Sequence, residues 1–213
     1  MTIGPSATTF SKIADLRLRQ RSAMTPERVA CGGLPSDDDK RLALIVVAKR
    51  GGDTAHLRAA LTDPLGRTLA ARYLADLGCR EATHDIARLL DASDPMTRVA
   101  SVRALGRLQA HGLASRFREM ARDDPSPNVR MWAIAAVGQT GQRSDREFLE
   151  EFLDSPDWPT RRAAVYALGV LGDPAAIAAL RRARRSDWSK VIVPFGSGSA
   201  YRRALNSLRA AAD

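Results

Sequence analysis

Apolar residues recur three and four positions apart along most of the chain, with polar residues between them. This spacing is the period of an amphipathic α-helix, and it differs from the strict alternation of a half-buried strand. Longer helical runs end in an apolar residue followed by Gly. In these runs the positions four and one before the Gly are always apolar: Leu74/Leu77, Val102/Leu105, Ile134/Val137 and Val165/Leu168. Each such pair lies on one helical face and is predicted to be buried.

A shorter helical run follows each of these glycines, so the helices are predicted to come in pairs. The shorter runs carry an apolar i, i+4 stripe, formed by Ile86/Leu90, Phe117/Ala121 and Leu149/Leu153. The pairs are separated by Asp-Pro or Ser-Pro steps about 31 residues apart, at Asp63, Asp94, Asp124 and Ser155. Asp and Ser accept the free N–H groups of a first turn, and Pro fits there because it lacks that donor. The Gly after each longer run is expected to adopt the left-handed conformation that ends a helix.

Two helices alone cannot bury such a stripe, but stacked pairs bury it along a continuous core. The chain is therefore predicted to be all-α, an α-solenoid of about five stacked two-helix repeats over residues 37–187. The helix pairs are expected near residues 38–61, 66–90, 96–121, 127–153 and 159–185. Ser36 and the three aspartates after it suit the start of the first helix.

The order Asp-Pro, Val-Arg and Ala-x-x-Ala-Leu-Gly resembles the short HEAT-like repeats of phycobilisome-lyase-type proteins. The segments "DDPSPNVRMWAIAAVG" and "LGDPAAIAALRRA" carry the resemblance best, and it extends over roughly residues 60–185. It implies a HEAT-like solenoid that serves as a binding scaffold. The unit at 63–93 departs from the pattern, with Ala70 at the Arg position and Asp76 at an Ala position.

Three arginines, Arg98, Arg130 and Arg161, each precede a repeat Gly by eight residues. This spacing puts them on the same face as the buried pairs, so we expect their side chains to run along the seam between repeats. The resemblance implies that each pairs with an acid or a loop carbonyl of an adjoining unit. The candidate acids are Asp91, Asp94, Asp123, Asp124 and Asp154. A structural role is favoured over a ligand role.

The resemblance also implies that the second helices line the inner face of the solenoid. On these helices Arg58, Arg88 and Arg118 are thirty residues apart and are read as a basic column, although alignment of Ile86 with Leu57 would place Ala87 opposite Arg58. In the next unit acidic and aromatic residues take over. The predicted partner-binding set is Arg58, Arg88, Arg118, Phe148, Glu150 and Glu151.

The net charge of +9 is concentrated at the two ends of the chain. Residues 1–36 have five basic and two acidic side chains, residues 37–155 have 18 of each, and residues 156–213 have ten basic and four acidic. Residues 1–36 are expected to form a basic arm that is irregular or disordered in part. Residues 188–213 should form a loop and a capping helix with Tyr201, Leu205 and Leu208 on one face. The candidate anion or nucleic-acid contacts are Arg181, Arg182, Arg184, Arg185, Arg202 and Arg203.

Little in the sequence indicates catalysis. Cys31 and Cys79 are the only cysteines and are read as reduced thiols of a cytosolic protein. The histidines and acids match no metal site, so neither a metal nor another cofactor is expected. No run of 18 apolar residues indicates a membrane span. Trp132, Trp158 and Trp188 are expected to be packing residues or, where exposed, binding anchors.

The favoured function is a non-catalytic scaffold that binds another protein or a peptide on its inner face. The alternative is a HEAT-like protein that binds nucleic acid through its basic terminal segments. The mixed charge of the middle of the chain argues against a long phosphate track. An enzyme, such as a chromophore lyase or a DNA glycosylase, is the least favoured reading. The oligomeric state is left open.

Overall fold

The computed structural model describes residues 36–189 and 197–211, which contain eleven α-helices and no β-strand. In chain order the helices are α1 (Asp37–Gly51), α2 (Thr54–Ala59), α3 (Arg67–Asp76), α4 (Thr83–Ala87), α5 (Pro95–Arg107), α6 (Ala114–Asp123), α7 (Pro127–Thr140), α8 (Arg146–Glu150), α9 (Trp158–Leu171), α10 (Ile177–Ser189) and α11 (Ser197–Ala210). The odd-numbered helices α1 to α9 are the first helices of five repeats, and the even-numbered ones are the second helices. The prediction of an all-α solenoid of five helix pairs is confirmed.

Three of the five first helices, α1, α5 and α9, begin with side-chain caps, whereas α3 and α7 have none. The Ser36 hydroxyl accepts from the Asp39 N–H at 3.1 Å, and the Asp39 carboxylate accepts from the Ser36 N–H in return. Asp94 accepts from the Thr97 N–H at 2.9 Å to cap α5, and Pro95 occupies the first turn. These contacts satisfy N–H groups that a helix leaves without an internal partner.

The buried stripes of the two layers meet in one core. The second-helix residues predicted to be buried are at most 5% exposed: Ile86, Leu90, Phe117, Ala121, Leu149 and Leu153. The first-helix pairs Val102/Leu105, Ile134/Val137 and Val165/Leu168 are fully buried opposite them. The helical period of the sequence therefore identifies the core correctly in these three repeats.

The prediction that the repeat glycines end their helices is wrong for Gly106, Gly138 and Gly169, which lie inside α5, α7 and α9. A Cβ atom on Gly138 would lie 2.4 Å from the Cα of Ala167, and one on Gly169 would lie 2.9 Å from the Cα of Ala204. These glycines allow adjacent first helices to approach each other closely. The left-handed conformation occurs three residues later in two of these repeats, at Gln109 and Gly172.

In the repeat at 63–93 the sequence-based assignment of positions is displaced by three residues, about one helical turn, from the structure. Gly78 does take the left-handed conformation, with φ at +67°, and so it is equivalent to Gln109 rather than to the glycines inside the helices. The buried pair is Ala71 and Leu74, whereas Leu77 is 40% exposed. The prediction of a buried Leu77 is therefore wrong.

The same displacement identifies the residue at the arginine position of this repeat. The N–H of Arg67 donates to the Asp63 carbonyl, as that of Arg98 donates to the Asp94 carbonyl. Arg67, and not Ala70, therefore occupies the arginine position. The repeat thus conforms to the pattern more closely than the sequence indicates.

Helix α11 covers the end of the array, as predicted. Tyr201, Leu205 and Leu208 are at most 4% exposed, and the Ser207 hydroxyl donates to the Gly169 carbonyl at 2.9 Å. The predicted basic arm lies outside the described residues except for Ser36, and the loop over 190–196 also lies outside them. The array itself extends to Ser189, at the end of α10.

Candidate interaction surface

Arg98 is bound on both sides of the junction between its own repeat and the next one. Its Nε and Nη2 atoms donate to the two carboxylate oxygens of Asp124 at 2.8 and 2.9 Å. Its Nη1 atom donates to the carbonyls of Ala92 and Ser93 at 2.8 and 3.0 Å. Arg98 is 8% exposed and Asp124 is 9% exposed, so this bidentate ion pair is shielded from water.

Arg130 and Arg161 repeat one half of this arrangement. The Nη1 atom of each donates to the carbonyl six residues earlier, on Asp124 and Ser155 respectively, at 2.7 Å in both cases. These arginines thus tie the start of a first helix to the loop before it. Of the five acids considered as partners, Asp124 pairs with a ladder arginine, Arg98.

The second helices do not form the predicted basic column. Their register is given by the equivalent buried side chains Leu57, Ile86 and Phe117. Arg58 and Arg118 each follow such a residue, but the residue after Ile86 is Ala87, and Arg88 lies one position later. The column of Arg58, Arg88 and Arg118 is therefore wrong, and its second member belongs to a different row.

Ion pairs link consecutive repeats along the second-helix surface. The pairs are Arg58 with Asp85, Arg118 with Asp145, Arg122 with Glu151, and Arg146 with Asp173. Glu150 also accepts from Arg146, at 2.8 Å. Phe148 is half-buried and packs edge-on against Phe152, with ring centroids 5.2 Å apart. Most residues of the predicted partner-binding set are thus already engaged within the array.

The first helices are the more closely spaced layer. They contact one another extensively at the glycine and alanine positions, whereas consecutive second helices make few direct contacts. The first helices therefore form a continuous layer, and a surface that spans several repeats is available there. That the second helices line the inner face stays a prediction.

An open groove of about 540 Å³ lies on the first-helix layer. Residues of α7, α9 and α11 line it: Met131, Trp132, Ala135, Pro159, Arg162, Ala163, Tyr166, Gly169, Val170, Ala200, Arg203, Ala204 and Ser207. Tyr166 and Val170 are 48% and 44% exposed. Large exposed apolar side chains grouped in one groove indicate a contact surface.

The geometry of Trp132 and Tyr166 holds both rings at the groove. The guanidinium of Arg103 lies 4.3 Å from the centroid of the Trp132 ring, a distance suited to a cation–π interaction. The amide of Gln139 donates to the Tyr166 hydroxyl at 3.0 Å. Sequence reasoning singled out Trp132 but missed Tyr166, Met131 and Val170. The sequence signal for Tyr166 is an aromatic residue at a solvent-facing helix position.

Cations surround the groove without matching acids. Arg162 and Arg203 line it, and no aspartate or glutamate does. Neither arginine forms an ion pair with any residue that the structure describes. Desolvation lowers the pKa of Arg103, and the neighbouring cations of Arg72 and Arg107 lower it further. This part of the surface would be stabilised by an incoming negative charge.

The acid next to this cluster is Asp76. Its carboxylate accepts from Lys49 at 3.0 Å and from Arg107. Burial alone would raise the pKa of Asp76, but these two hydrogen-bonded cations outweigh it and the pKa is lowered. Asp76 is therefore ionised at neutral pH and already bound to two cations.

The predicted anion contacts are divided between two helices. Arg181, Arg182, Arg184 and Arg185 are exposed on α10. Arg202 is exposed on α11, and Arg203 on the same helix lines the groove. Arg203 is thus part of the first-helix surface, whereas α10 is a second helix.

The described residues contain no cluster of His, Cys, Asp and Glu that could hold a metal ion. None of the described helices is both long and apolar enough to cross a membrane. Burial and a hydrogen bond to Glu81 raise the pKa of the Cys79 thiol, which disfavours a reactive thiolate.

Comparison with solved structures gives the same architecture. An engineered protein of known crystal structure is 18% identical, with a TM-score of 0.52 over 82% of this chain and 90% of the other. The CpcE–CpcF complex of phycocyanin lyase from Nostoc sp. PCC7120 is 20% identical, with a TM-score of 0.45 over 88% of this chain and 95% of that chain. At these identities the first likeness indicates a shared fold alone. No curated protein matches the chain.

The family comparison rests on the repeats themselves. The family model described as HEAT repeats matches twice, over residues 54–138 and 114–193. Together the two matches extend from α2 to the end of α10 and cover well over half of the chain. The arginine ladder and the four helix pairs from α3 to α10 fall within them. The chain belongs to the HEAT-repeat family.

Proposed function

We propose that this HEAT-repeat protein is a non-catalytic scaffold that binds a protein partner in the groove of its first helices. The observation that carries the proposal is that Trp132 and Tyr166, from adjacent repeats, line the same open and mostly apolar groove. Tryptophan, tyrosine and arginine supply much of the binding energy at protein interfaces, and the groove offers all three.

The contrast between the two layers supports this choice of surface. On the second helices α2, α6 and α8 several arginines bind acids of the next repeat, so a partner there would have to displace existing ion pairs. In the groove, a partner that covers Tyr166 and Val170 does not have to displace an ion pair. Burial of that apolar area is favourable by itself.

A site-specific cross-linking experiment tests the proposal. Tyr166 is replaced by a photoreactive phenylalanine analogue in the native cell, and Glu147 on the second-helix surface is replaced in the same way as a control. The side chain of Glu147 is 83% exposed, so both positions are accessible. We expect discrete protein adducts from position 166 that disappear when Trp132→Ala is added.

The control at position 147 distinguishes binding at the groove from non-specific cross-linking. Position 147 should give no adduct of the same mass. Equal labelling at both positions, or adducts at 166 that consist of nucleic acid, would contradict the proposal. Nuclease treatment before electrophoresis distinguishes protein adducts from nucleic-acid adducts.

A further inference from the structure

We infer that the groove takes an acidic segment of the partner protein, with an apolar side chain at its centre and carboxylates toward both ends. This inference rests on the function proposed above and names the chemistry of the partner. It follows from how charge is arranged along one row of the first-helix surface.

The row consists of equivalent positions on α5, α7, α9 and α11, which are neighbours in this layer. Ala136, Ala167 and Ala204 each lie against a glycine of the preceding first helix. The residues just before these alanines, together with Arg103 at the same position of α5, form the row Arg103, Ala135, Tyr166 and Arg203. The row therefore reads cation, small, aromatic, cation; its last three members line the groove, and Arg103 lies beside it over Trp132.

Neither end of this row forms an ion pair with a residue that the structure describes. The Arg103 cation lies over Trp132 beside two further arginines, and its pKa is lowered by desolvation and by those neighbours. Arg203 and the adjacent Arg162 form no ion pair with a described residue. Carboxylates at the two ends of a bound segment would supply the missing negative charge, and arginine favours such planar two-oxygen partners.

The spacing of helices sets the length of the segment. Packed helices lie roughly 8–10 Å apart, so three steps from Arg103 to Arg203 span roughly 24–30 Å. An extended chain advances roughly 3.3 Å per residue and would cover this distance in about seven to nine residues. The central side chain would then lie near Trp132 and Tyr166.

A protein segment suits this surface better than a nucleic acid. A phosphate backbone carries charge at short, regular intervals and is usually matched by a continuous line of cations. Here the middle of the row is Ala135 and Tyr166, flanked by Val170 and Met131. Phosphates placed over these side chains would lose water without gaining a cation.

A peptide selection tests the inference with defined probes. The full chain is immobilised, and a displayed library of random peptides about twelve residues long is selected against it. Enriched peptides are then synthesised, and their affinities are measured by fluorescence polarisation. We expect enriched peptides to carry acidic residues on both sides of an apolar residue.

Charge reversal identifies the surface that these peptides use. The double variant Arg162→Glu with Arg203→Glu should lose at least about tenfold in affinity, because like charges then meet across the interface. The matched control is Arg181→Glu with Arg184→Glu, which changes as many exposed charges on α10 and should bind like the parent. Circular dichroism and thermal midpoints verify that both variants fold, and Arg162→Gln with Arg203→Gln should show a smaller loss.

The remaining outcomes overturn either the inference or the proposed function. Neutral or basic peptides that require Trp132 would overturn the acidic partner but leave the proposed function standing. Peptides that bind independently of Trp132 and Tyr166 would overturn both. Equal losses in the two charge-reversal variants, or tighter binding of a DNA or RNA oligonucleotide through Arg162 and Arg203, would also overturn the inference.

Discussion

Gly138 of α7 lies directly against Ala167 of α9. A Cβ atom on the glycine would come within 2.4 Å of the Cα of Ala167 and within 2.6 Å of its carbonyl oxygen. The same relationship recurs between Gly169 and Ala204. Absence of a side chain at these positions sets the distance between the first helices, and with it the shape of the groove above them.

Replacement of Gly138 by alanine should destabilise the protein by about 1–3 kcal/mol, the range for overpacking a close contact. The obstructing atoms belong to backbone, so they cannot move aside as a flexible side chain would. Urea unfolding monitored by circular dichroism measures the change in the free energy of unfolding. Binding at the groove should weaken as well, because α7 and α9 must separate.

Gly51 provides the matched control for this substitution. It lies in the last turn of α1, and no atom is within 4 Å of the position that its Cβ would take. Gly51→Ala should leave stability unchanged or raise it by up to about 1 kcal/mol, since alanine favours the helix. Equal destabilisation by both substitutions would contradict the role given to Gly138.

Arg98 should contribute more to stability than any arginine of an exposed ion pair. Arg98→Ala leaves the buried Asp124 carboxylate without its bidentate partner and should destabilise by about 2–4 kcal/mol. The control is Arg122→Ala, which removes an exposed ion pair with Glu151 and should lower the free energy of unfolding by less than about 1 kcal/mol. Chemical denaturation of both variants gives the comparison, and similar losses would contradict it.

Arg130 binds a loop carbonyl rather than a buried acid. Its replacement by alanine should lower stability by roughly 1–3 kcal/mol, the scale for leaving a buried polar group unsatisfied. Partner binding should stay intact at a temperature where the variant is folded. A variant with unchanged stability and abolished binding would assign Arg130 to the binding surface instead.

The Arg98–Asp124 pair also predicts an acid dependence of stability. Burial would raise the pKa of Asp124, but hydrogen bonds from Arg98 and the Ser126 N–H outweigh it and the pKa is lowered in the folded state. A lowered folded pKa stabilises the protein above the unfolded value of about 3.9, and this contribution is lost as pH falls through the folded pKa.

Asp124→Asn tests this contribution. The variant should be less stable at neutral pH, and the difference from the parent should shrink as the pH is lowered below about 4. Urea unfolding at several pH values gives both curves. Parallel curves for parent and variant over this range would show that Asp124 does not titrate as the ion pair requires.

The sequence was sufficient for the helix pairs and most of the core, because the apolar period and the Asp-Pro steps depend only on local geometry. It misled at Gly106, Gly138 and Gly169. Glycine is selected both where a helix ends with positive φ and where another backbone approaches, and a single sequence does not distinguish these causes. Leu77 was assigned to the core because Gly78 was equated with those glycines.

The candidate surface was harder to predict than the fold. Whether a layer forms a continuous groove depends on how closely its helices pack, and that packing depends on contacts such as Gly138 with Ala167. The charged residues Arg58, Arg118, Glu150 and Glu151 looked available in the sequence because their partners are about thirty residues away or one turn along. Tyr166 had no sequence signal beyond an aromatic residue at a solvent-facing position.

Hydrogen–deuterium exchange of the complex with the partner captured at position 166 tests the central claim most directly. If the first-helix groove is the binding surface, amides in α7, α9 and α11 should exchange more slowly on binding, while those of α6 and α8 should change little. Exchange slowed chiefly in α6 and α8, with the groove helices unaffected, would contradict the claim and restore the second-helix surface as the site.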